Sequence, residues 1–410
     1  MALGGLWKHR DFVRLWGGET IEWITDGITA LALPTIAIKI FDAGPLQMGL
    51  LWALTYAAFP IVGLYAGVMV DRWRRKPVLV GTNIMQVAAL GSIPAAFLLG
   101  RLSLLQLLLV ALVMSITSVF FAVAYQAYLP TLISREDLVD GNSKLETSSS
   151  AANAVGPGIA GGLYELLGPL SIAVDAFGTL LAAIMILSIR KIELTPPPPE
   201  ERHFWQELKA GVRVVAETPT LRSLAVSTSL LNFGVGMFMP IFYLFIYERL
   251  MLSVLLAGIV LFVGGVGFIV GAIVSPSLLK RLGLGTVLAL ALLINGLGLL
   301  AVQASILGPT AIMLAILWFL SNIGPPIYNI NQVSYRQMIV VDALQGRMNA
   351  TMRTFGNGAV VLGAIFGGIV GFQYGILSAM TAGALISLIP VLLIWFGPLG
   401  RLHHMPLTEP

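Results

Sequence analysis

Long apolar runs alternate along nearly the whole chain with short clusters of charged and turn-forming residues. Crossing the ~30 Å hydrocarbon core of a bilayer takes about 20 residues of helix. Breaking the chain at those clusters gives twelve runs of that size, near residues 14–40, 46–70, 77–100, 103–130, 142–166, 169–189, 221–247, 253–279, 285–305, 308–332, 346–371 and 374–396. Between the sixth and seventh runs lies "RKIELTPPPPEERHFWQELKAGVRVVAETPTLRS". Its four prolines make a stiff, extended spacer. The "FWQELKAGVRVVAE" behind them has the amphipathic spacing of a helix lying on a membrane surface. The expected organisation is an N-terminal six-helix bundle over 1–190, a linker over 191–220, a C-terminal six-helix bundle over 221–398 and a tail over 399–410.

The basic residues support this map. Of the 24 Lys and Arg residues, 21 fall at the termini, in the linker and in alternate connections, leaving only Lys39, Arg101 and Arg249 on the opposite side. By the positive-inside rule both termini are expected to be cytoplasmic. The first run has no small-residue cleavage site after it and is expected to be retained as a span. Composition agrees, with 57% hydrophobic and 11% charged residues and a mean hydropathy of +0.89. A soluble chain of this length cannot be built from such a mixture. The fold class expected is an all-α membrane protein of twelve transmembrane helices.

Several chemistries are excluded. The chain has no cysteine, hence no disulfide, thiol nucleophile or thiolate metal site. Its four histidines, His9, His203, His403 and His404, lie in the termini and the linker, so any proton relay inside the membrane must use carboxylates. No lysine follows a glycine, which rules out a phosphate-binding loop and an ATP-driven pump. No metal, cofactor or nucleic-acid partner is expected.

The two halves read as weak copies of each other. "LVDGNSKLETSSSAANAVGPGIAGGL" aligns with "LQGRMNATMRTFGNGAVVLGAIFGGI", matching Leu138 to Leu344 and Gly161-Gly162 to Gly367-Gly368. "GLYAGVMVDR" likewise echoes "GAIVSPSLLK". Two parallel repeats around a midplane cavity form a transporter architecture, so the two bundles are expected to be pseudo-symmetric.

The second run ends in "GLYAGVMVDRWRRK". Gly63 and Gly67, four apart, allow close helix approach. The cations alone would serve as a positive-inside anchor. Gly67, Asp71, Arg72, Arg75 and Lys76 together resemble the G-x-x-x-D-R-x-x-R-[RK] loop of the major facilitator superfamily. The resemblance implies a cytoplasmic latch in which Asp71 meets basic groups of the other half, with Arg347 or Arg353 as the partner. The second-half copy has Leu279 in place of Asp71, so one latch is expected. "AVGPGIAGG" in the fifth run, with Gly156, Pro157, Gly158, Gly161 and Gly162, resembles the G-P-x-x-G-G signature of proton antiporters in that superfamily. Ala160 replaces one glycine of the signature. The proline removes a helix hydrogen bond and the glycines permit tight packing, which also suits a plain packing kink. A longer likeness, through "VFFAVAYQAYLPTLISREDLVDGNSKLETSSSAANAVGPGIAGGL" and "IAVDAFGTLLAA", points to the branch containing macrolide-efflux proteins and the enterobactin exporter. Glu22, Thr25 and Ala122 depart from that branch and leave the substrate open.

Candidate coupling residues come from the first run. Glu19, Glu22 and Asp26 are spaced three and then four apart, placing all three carboxyls on one helical stripe. A charge near the bilayer centre costs roughly 3 kcal/mol on insertion scales, so the stripe is expected to face the protein interior or water. Asp26 is the deepest of the three, and the alternative place for Glu19 is a hydrated one near the cytoplasmic mouth. Asp175 in the sixth run either shares the proton role or makes a structural hydrogen bond. Glu146 and Arg353 hold nearly equivalent places in the two halves and suit ion pairs or latch contacts. Candidate substrate contacts are Tyr125, Gln126 and Tyr128 in the fourth run, Asn232 and Phe233 in the seventh, and Asn322, Tyr328, Asn329 and Asn331 in the tenth. Each could equally be glue between helices. Asn295 in the ninth run reads as peripheral, since helices three, six, nine and twelve sit outside the cavity in this superfamily. Met237 and Met239, beside Phe238 and Phe242, fit either an adaptable apolar site or ordinary packing.

The function expected is secondary transport, exporting an amphipathic small molecule in exchange for protons by alternating access. Its alternatives are a facilitator or symporter of another metabolite, and a transporter that moves lipid or lysolipid. A monomer in a bacterial inner membrane is expected, with a small-molecule substrate, protons and membrane lipid as its partners.

Overall fold

In the computed structural model, residues 6–134, 136–191, 193, 204–400 and 402 are described. The Pro-rich spacer, His203, His403 and His404 lie outside them, as does the side chain of Asp71. Helix α1 spans Arg10–Phe41. The second run is split into α2, Pro45–Tyr56, and α3, Ala58–Arg72. The split has a local cause, because Pro60 has no N–H and its ring crowds the carbonyl of Tyr56, four residues back. At the split the backbone N–H of Ala58 donates to Ser115 Oγ at 3.1 Å. Then follow α4, Arg75–Leu98, α5, Leu104–Leu132, α6, Leu138–Leu167, and α7, Ile172–Leu187. The amphipathic segment forms α8, Phe204–Glu217. The second half contains α9, Pro219–Leu244, α10, Val254–Leu282, α11, Leu284–Val302, α12, Thr310–Ile339, α13, Asp342–Tyr374, and α14, Ile376–Trp395.

Eleven helical segments of the described chain are long and apolar enough to cross a membrane. The longest, Leu138–Leu187, contains both α6 and α7, separated at Gly168, whose φ of 55° suits a residue without Cβ. Twelve membrane-crossing runs result, in the order the hydropathy predicts. Several helices outrun their apolar stretches, however. α12 continues to Ile339, past the expected 332, and α13 starts at Asp342 rather than 346. Hydropathy marks what lies in lipid, whereas the backbone ladder continues wherever side chains tolerate it.

The residues cluster into two compact units, one of 1–41 and 57–201, the other of 42–56 and 202–410. In the first, α1 packs on α6 and α7, α4 on α5 and α7, and α3 on α5. In the second, α9 packs on α13 and α14, α11 on α12 and α14, and α10 on α12. Matching helices therefore take matching neighbours. Helix α2 clusters with the second unit, whereas the sequence assigns it to a first bundle over 1–190. Its backbone lies on α13, where a Cβ added at Gly49 would come within 3.0 Å of Gly368 Cα.

Glycines set the closest approaches. A Cβ on Gly27 would sit 2.7 Å from Gly156 Cα, and one on Gly156 would sit 3.1 Å from Gly27 Cα. The α1–α6 seam is thus backbone on backbone, one residue from Asp26. The α9–α13 seam repeats the device, with Gly367 placed so that a Cβ would lie 2.6 Å from Met237 Cα. Gly63 and Gly67 do not make the close approach their spacing suggests, since a Cβ at Gly67 meets nothing within 4 Å. A small-residue pair leaves room for a neighbour without supplying one. Gly27→Ala is therefore expected to destabilise the chain by about 1–3 kcal/mol. Gly67→Ala is expected to be neutral or slightly stabilising, because alanine is the better helix former. Unfolding midpoints of the two purified variants in detergent check this.

Candidate functional site

The acid stripe of α1 is turned into the first unit. Glu19 is 1% exposed and Glu22 5%, and Asp175 of α7, at 0%, joins them. Asp26 alone among the four is only half-buried. The hydrated position open to Glu19 is therefore not the one it takes. Depth along the helix did not foretell access, because access depends on how neighbouring helices cover each turn. Here the deepest acid of the stripe is the one left partly open.

The neighbours are polar but uncharged. Asn83 Nδ2 on α4 donates to Glu22 Oε2 at 3.0 Å, and the Asn83 side chain is itself wholly buried. Thr29 Oγ1, one turn beyond Asp26, donates to Asp175 Oδ2. Thr25 Oγ1 turns back to the carbonyl of Glu22 at 3.1 Å, and its side chain occupies the space left by Gly178 on α7. One turn along α4 from Asn83, Gln86 Nε2 donates to Thr117 Oγ1 of α5 at 3.1 Å. No Lys or Arg forms an ion pair with any of the four acids among the described residues. Several buried acceptors have no partner, namely Glu19 Oε1, Asn83 Oδ1, Gln86 Oε1 and Asp175 Oδ1. The Tyr125 hydroxyl is likewise buried and unpartnered. Acceptors without donors, next to carboxyls, form a site ready to receive protons or other donors.

Asn83, Gln86, Thr117 and Thr29 were not singled out from the sequence. Their signal was present, since Thr82, Asn83 and Gln86 put a polar stripe at helical spacing through an apolar run.

The loop cations divide. Arg75 Nη1 pairs with Glu193 at 3.2 Å, and the same carboxylate accepts the backbone N–H groups of Arg75 and Lys76 at 2.9 and 3.2 Å. Glu193 thus caps α4, where no side chain of the helix itself does so. Lys76 Nζ donates to the carbonyl of Ile189 at 2.7 Å. These two latch candidates are held inside the first unit. Arg347 and Arg353 are exposed on α13.

The polar candidates for substrate contact separate in the same way. Tyr128 is packed into the first unit's core beside Phe12, Leu15 and Leu79. Tyr328 bonds Thr228 through its hydroxyl at 2.9 Å, and Asn331 bonds Ser275 Oγ at 2.8 Å, both as ties between helices. Asn322 returns to the carbonyl of Trp318, and Asn295 ties α11 to α12 through the carbonyl of Ser321. Phe238 and Phe242 stack with Trp318 in the second unit's interior and Met237 is buried, so this cluster is packing. Gln126 and Asn329 are exposed, while Tyr125, Asn232 and Phe233 are half-buried.

The Glu22–Asn83 contact lends itself to a double-mutant cycle. Asn83→Leu leaves a buried carboxyl without its donor and is expected to cost about 1–3 kcal/mol. Adding Glu22→Leu removes the unmatched partner and should recover a measurable part of that loss. Denaturant or thermal unfolding of the two single variants and the double variant supplies the coupling energy.

Comparison with known proteins agrees with this architecture. Residues 15–302 match the profile of the Major Facilitator Superfamily. The enterobactin exporter EntS of Escherichia coli (strain K12) is 26% identical over 100% of this chain and 97% of its own length. Macrolide efflux protein A of Streptococcus pyogenes is 30% identical, but over only 58% of each chain, so the chain spans under two thirds of that relative's length. Among solved structures, the nucleoside transporter NupG aligns with a TM-score of 0.74 at 14% identity, over 94% of this chain and 98% of that one. An inward-facing bacterial homologue of the iron transporter ferroportin gives 0.73 at 18% identity, over the same shares. At such identities these two speak for the fold alone. The chain is an integral membrane protein and belongs to the major facilitator superfamily.

Proposed function

We propose that the chain exports an amphipathic small molecule in exchange for protons, by alternating access. The observation that carries this reading is the cluster of Glu19, Glu22, Asp26 and Asp175, which lies within one bundle with no basic ion-pair partner among the described residues. Four uncompensated negative charges in an apolar bundle are prohibitively costly, each amounting to several kcal/mol after relaxation. Their charge must therefore be balanced by protons or by a cation that comes and goes with the cycle. Protons are favoured because Glu19 Oε1 and Asp175 Oδ1 are buried acceptors without a donor, a want that a proton on each carboxyl removes. Half-buried Asp26 is the natural point of exchange, and Asn83 and Thr29 hold the two acids behind it.

Export is supported by the relatives, an exporter and an efflux protein. The Gly156-Pro157 step of α6, packed on α1 beside Asp26, is consistent with it. Bacterial relatives and the distribution of Lys and Arg support an inner-membrane protein with cytoplasmic termini, acting as a monomer. The functional halves follow the linker, with 1–190 and 221–398 as the two moving bundles.

Proteoliposomes carrying an imposed pH difference test the reading, with a macrolide and enterobactin as probes. An antiporter moves its substrate toward the acidic side, whichever way the protein is inserted. Asp26→Asn and Glu22→Gln are each expected to slow this movement by about tenfold or more, equivalent to about 1.4 kcal/mol. Exchange of labelled for unlabelled substrate without a gradient should survive both substitutions. Transport that ignores the gradient, or gradient-driven transport unchanged in both variants, would rule out proton exchange through these acids. Scrambling of vesicle lipid in place of probe movement would favour a lipid transporter.

A further inference from the structure

Helix α12 carries Tyr328, Gln332 and Arg336 four residues apart, so the three side chains share one face. All three are buried, Arg336 to 8% exposure. Tyr328 has a partner in Thr228 of α9. Arg336 makes no ion pair among the described residues, and its Nε is enclosed without an acceptor. A second cation, Arg353 of α13, faces it. Arg353 is exposed, so the two guanidinium groups lead from the interior of the second unit to its surface. Asn232, one turn beyond Thr228 on α9, adds a half-buried amide. A Cβ on Gly356, three residues along α13 from Arg353, would sit 3.0 Å from Asn232 Nδ2, so that amide lies over the same helix. Acids are scarce in this half. Residues 219–395 contain two, Glu248 and Asp342. Glu248 follows the far end of α9, about 30 Å of helix beyond Thr228 and next to Arg249. The Asp342 side chain lies outside the described residues. Among the described residues, then, the cluster of the first unit has acids without cations, and this face has cations without acids.

We propose that this face of the second unit binds the carboxylate head of the transported amphipath, with Arg336 as its main partner, Arg353 at the entrance and Asn232 as a further donor. A buried guanidinium without a counter-charge is costly, and the cost is relieved when the counter-charge arrives with a ligand. The guanidinium offers parallel N–H groups in one plane, the arrangement that a carboxylate accepts. One buried cation matches one negative charge. A cationic head would be repelled by both arginines, and a neutral head would leave Arg336 unmatched. Gln332 Nε2 is taken by Asn329 Oδ1, but Gln332 Oε1 is buried without a donor. It stands one turn from Arg336 and would accept a hydroxyl or N–H carried next to the carboxylate. The inference rests on the reading of the chain as a transporter of an amphipath, and owes nothing to proton exchange.

Equilibrium dialysis of the purified full chain in a neutral detergent tests it without any gradient. The probes are phenylbutyrate, phenylbutylamine and acetate, which separate the charge of the head from the presence of an apolar body. Phenylbutyrate is expected to bind at least about tenfold more tightly than phenylbutylamine, and equimolar acetate is expected not to displace it. Arg336→Met should weaken phenylbutyrate by about tenfold or more, the loss of a hydrogen-bonded charged partner. It should leave the ligand-free unfolding midpoint equal or higher, because it removes an unpaired buried charge. Arg336→Lys keeps the charge without the planar fork and is expected to recover part of the affinity. Arg353→Gln, at an exposed position, keeps the test open should Arg336→Met fail to fold, and is expected to weaken binding by up to about fivefold. Phenylbutyrate binding unchanged in both Arg336→Met and Arg353→Gln would overturn the site, as would its full displacement by equimolar acetate. Tight binding of the amine alone would overturn the carboxylate and leave the amphipathic substrate standing. Binding of neither aromatic probe would count against both.

Discussion

A carboxyl group carried into a bilayer must be matched from within the bundle, because lipid offers it no hydrogen bond and no counter-charge. Much of the first unit is arranged around that constraint. Helix α1 carries Glu19, Glu22 and Asp26, and the donors that meet the acids are an amide from α4, Asn83, and a hydroxyl of α1 itself, Thr29, in place of cations. A lysine or arginine partner would have fixed the charge of the acids permanently. Neutral donors such as Asn83 and Thr29 stabilise the site while leaving its charge free to change. The same need explains a glycine of α7. A side chain as short as that of Thr29 reaches Asp175 of α7 only when the two backbones are close, and Gly178, whose vacant space Thr25 fills, supplies that closeness.

The sequence made the architecture legible to a large extent. Apolar runs of bilayer length, cut at clusters of charged and turn-forming residues, were enough to count twelve runs. The duplication could also be read from "AVGPGIAGG" and its second-half copy, because both mark helices that pack closely on the first helix of their unit. What could not be read was the clustering of α2 with the second unit. That depends on where Gly49 meets Gly368, a long-range contact with no periodic signature in either run. Helix ends were misjudged for a related reason, since hydropathy reports immersion and not hydrogen bonding.

For the candidate site, the acids of α1 were legible and their partners were not. Spacing of three and four fixes a common face, but the donor opposite Glu22 comes from Asn83, 61 positions away. Tyr128 and Asn331 illustrate the opposite error. A polar group in an apolar run signals that something must satisfy it, and in Asn331 the partner proved to be the neighbouring helix through Ser275. Tyr128 is carried by its ring, which fills the core with Phe12 and Leu15. Burial, which a sequence does not reveal, decides between ligand contact and packing.

The two units share a framework and differ in what it holds. In the first, the seam between its opening helix and α6 runs beside carboxyls. In the second, the corresponding seam between α9 and α13 runs beside Phe233 and Met237, with Phe238, Phe242 and Trp318 stacked behind. Backbone-on-backbone packing at glycines is indifferent to the side chains that flank it, so a duplicated pair of seams can diverge freely in chemistry. The first unit has kept, or acquired, titratable groups next to its seam, and the second a dense aromatic interior. Any movement of α1 along α6 would carry Asp26 with it, because Gly27 is the residue in contact. Sliding at that seam alters the cover over a half-buried acid at once, whereas the same sliding of α9 on α13 alters only apolar packing. Under the proposed proton exchange, such an asymmetry would confine titration to one repeat and leave apolar packing at the other seam.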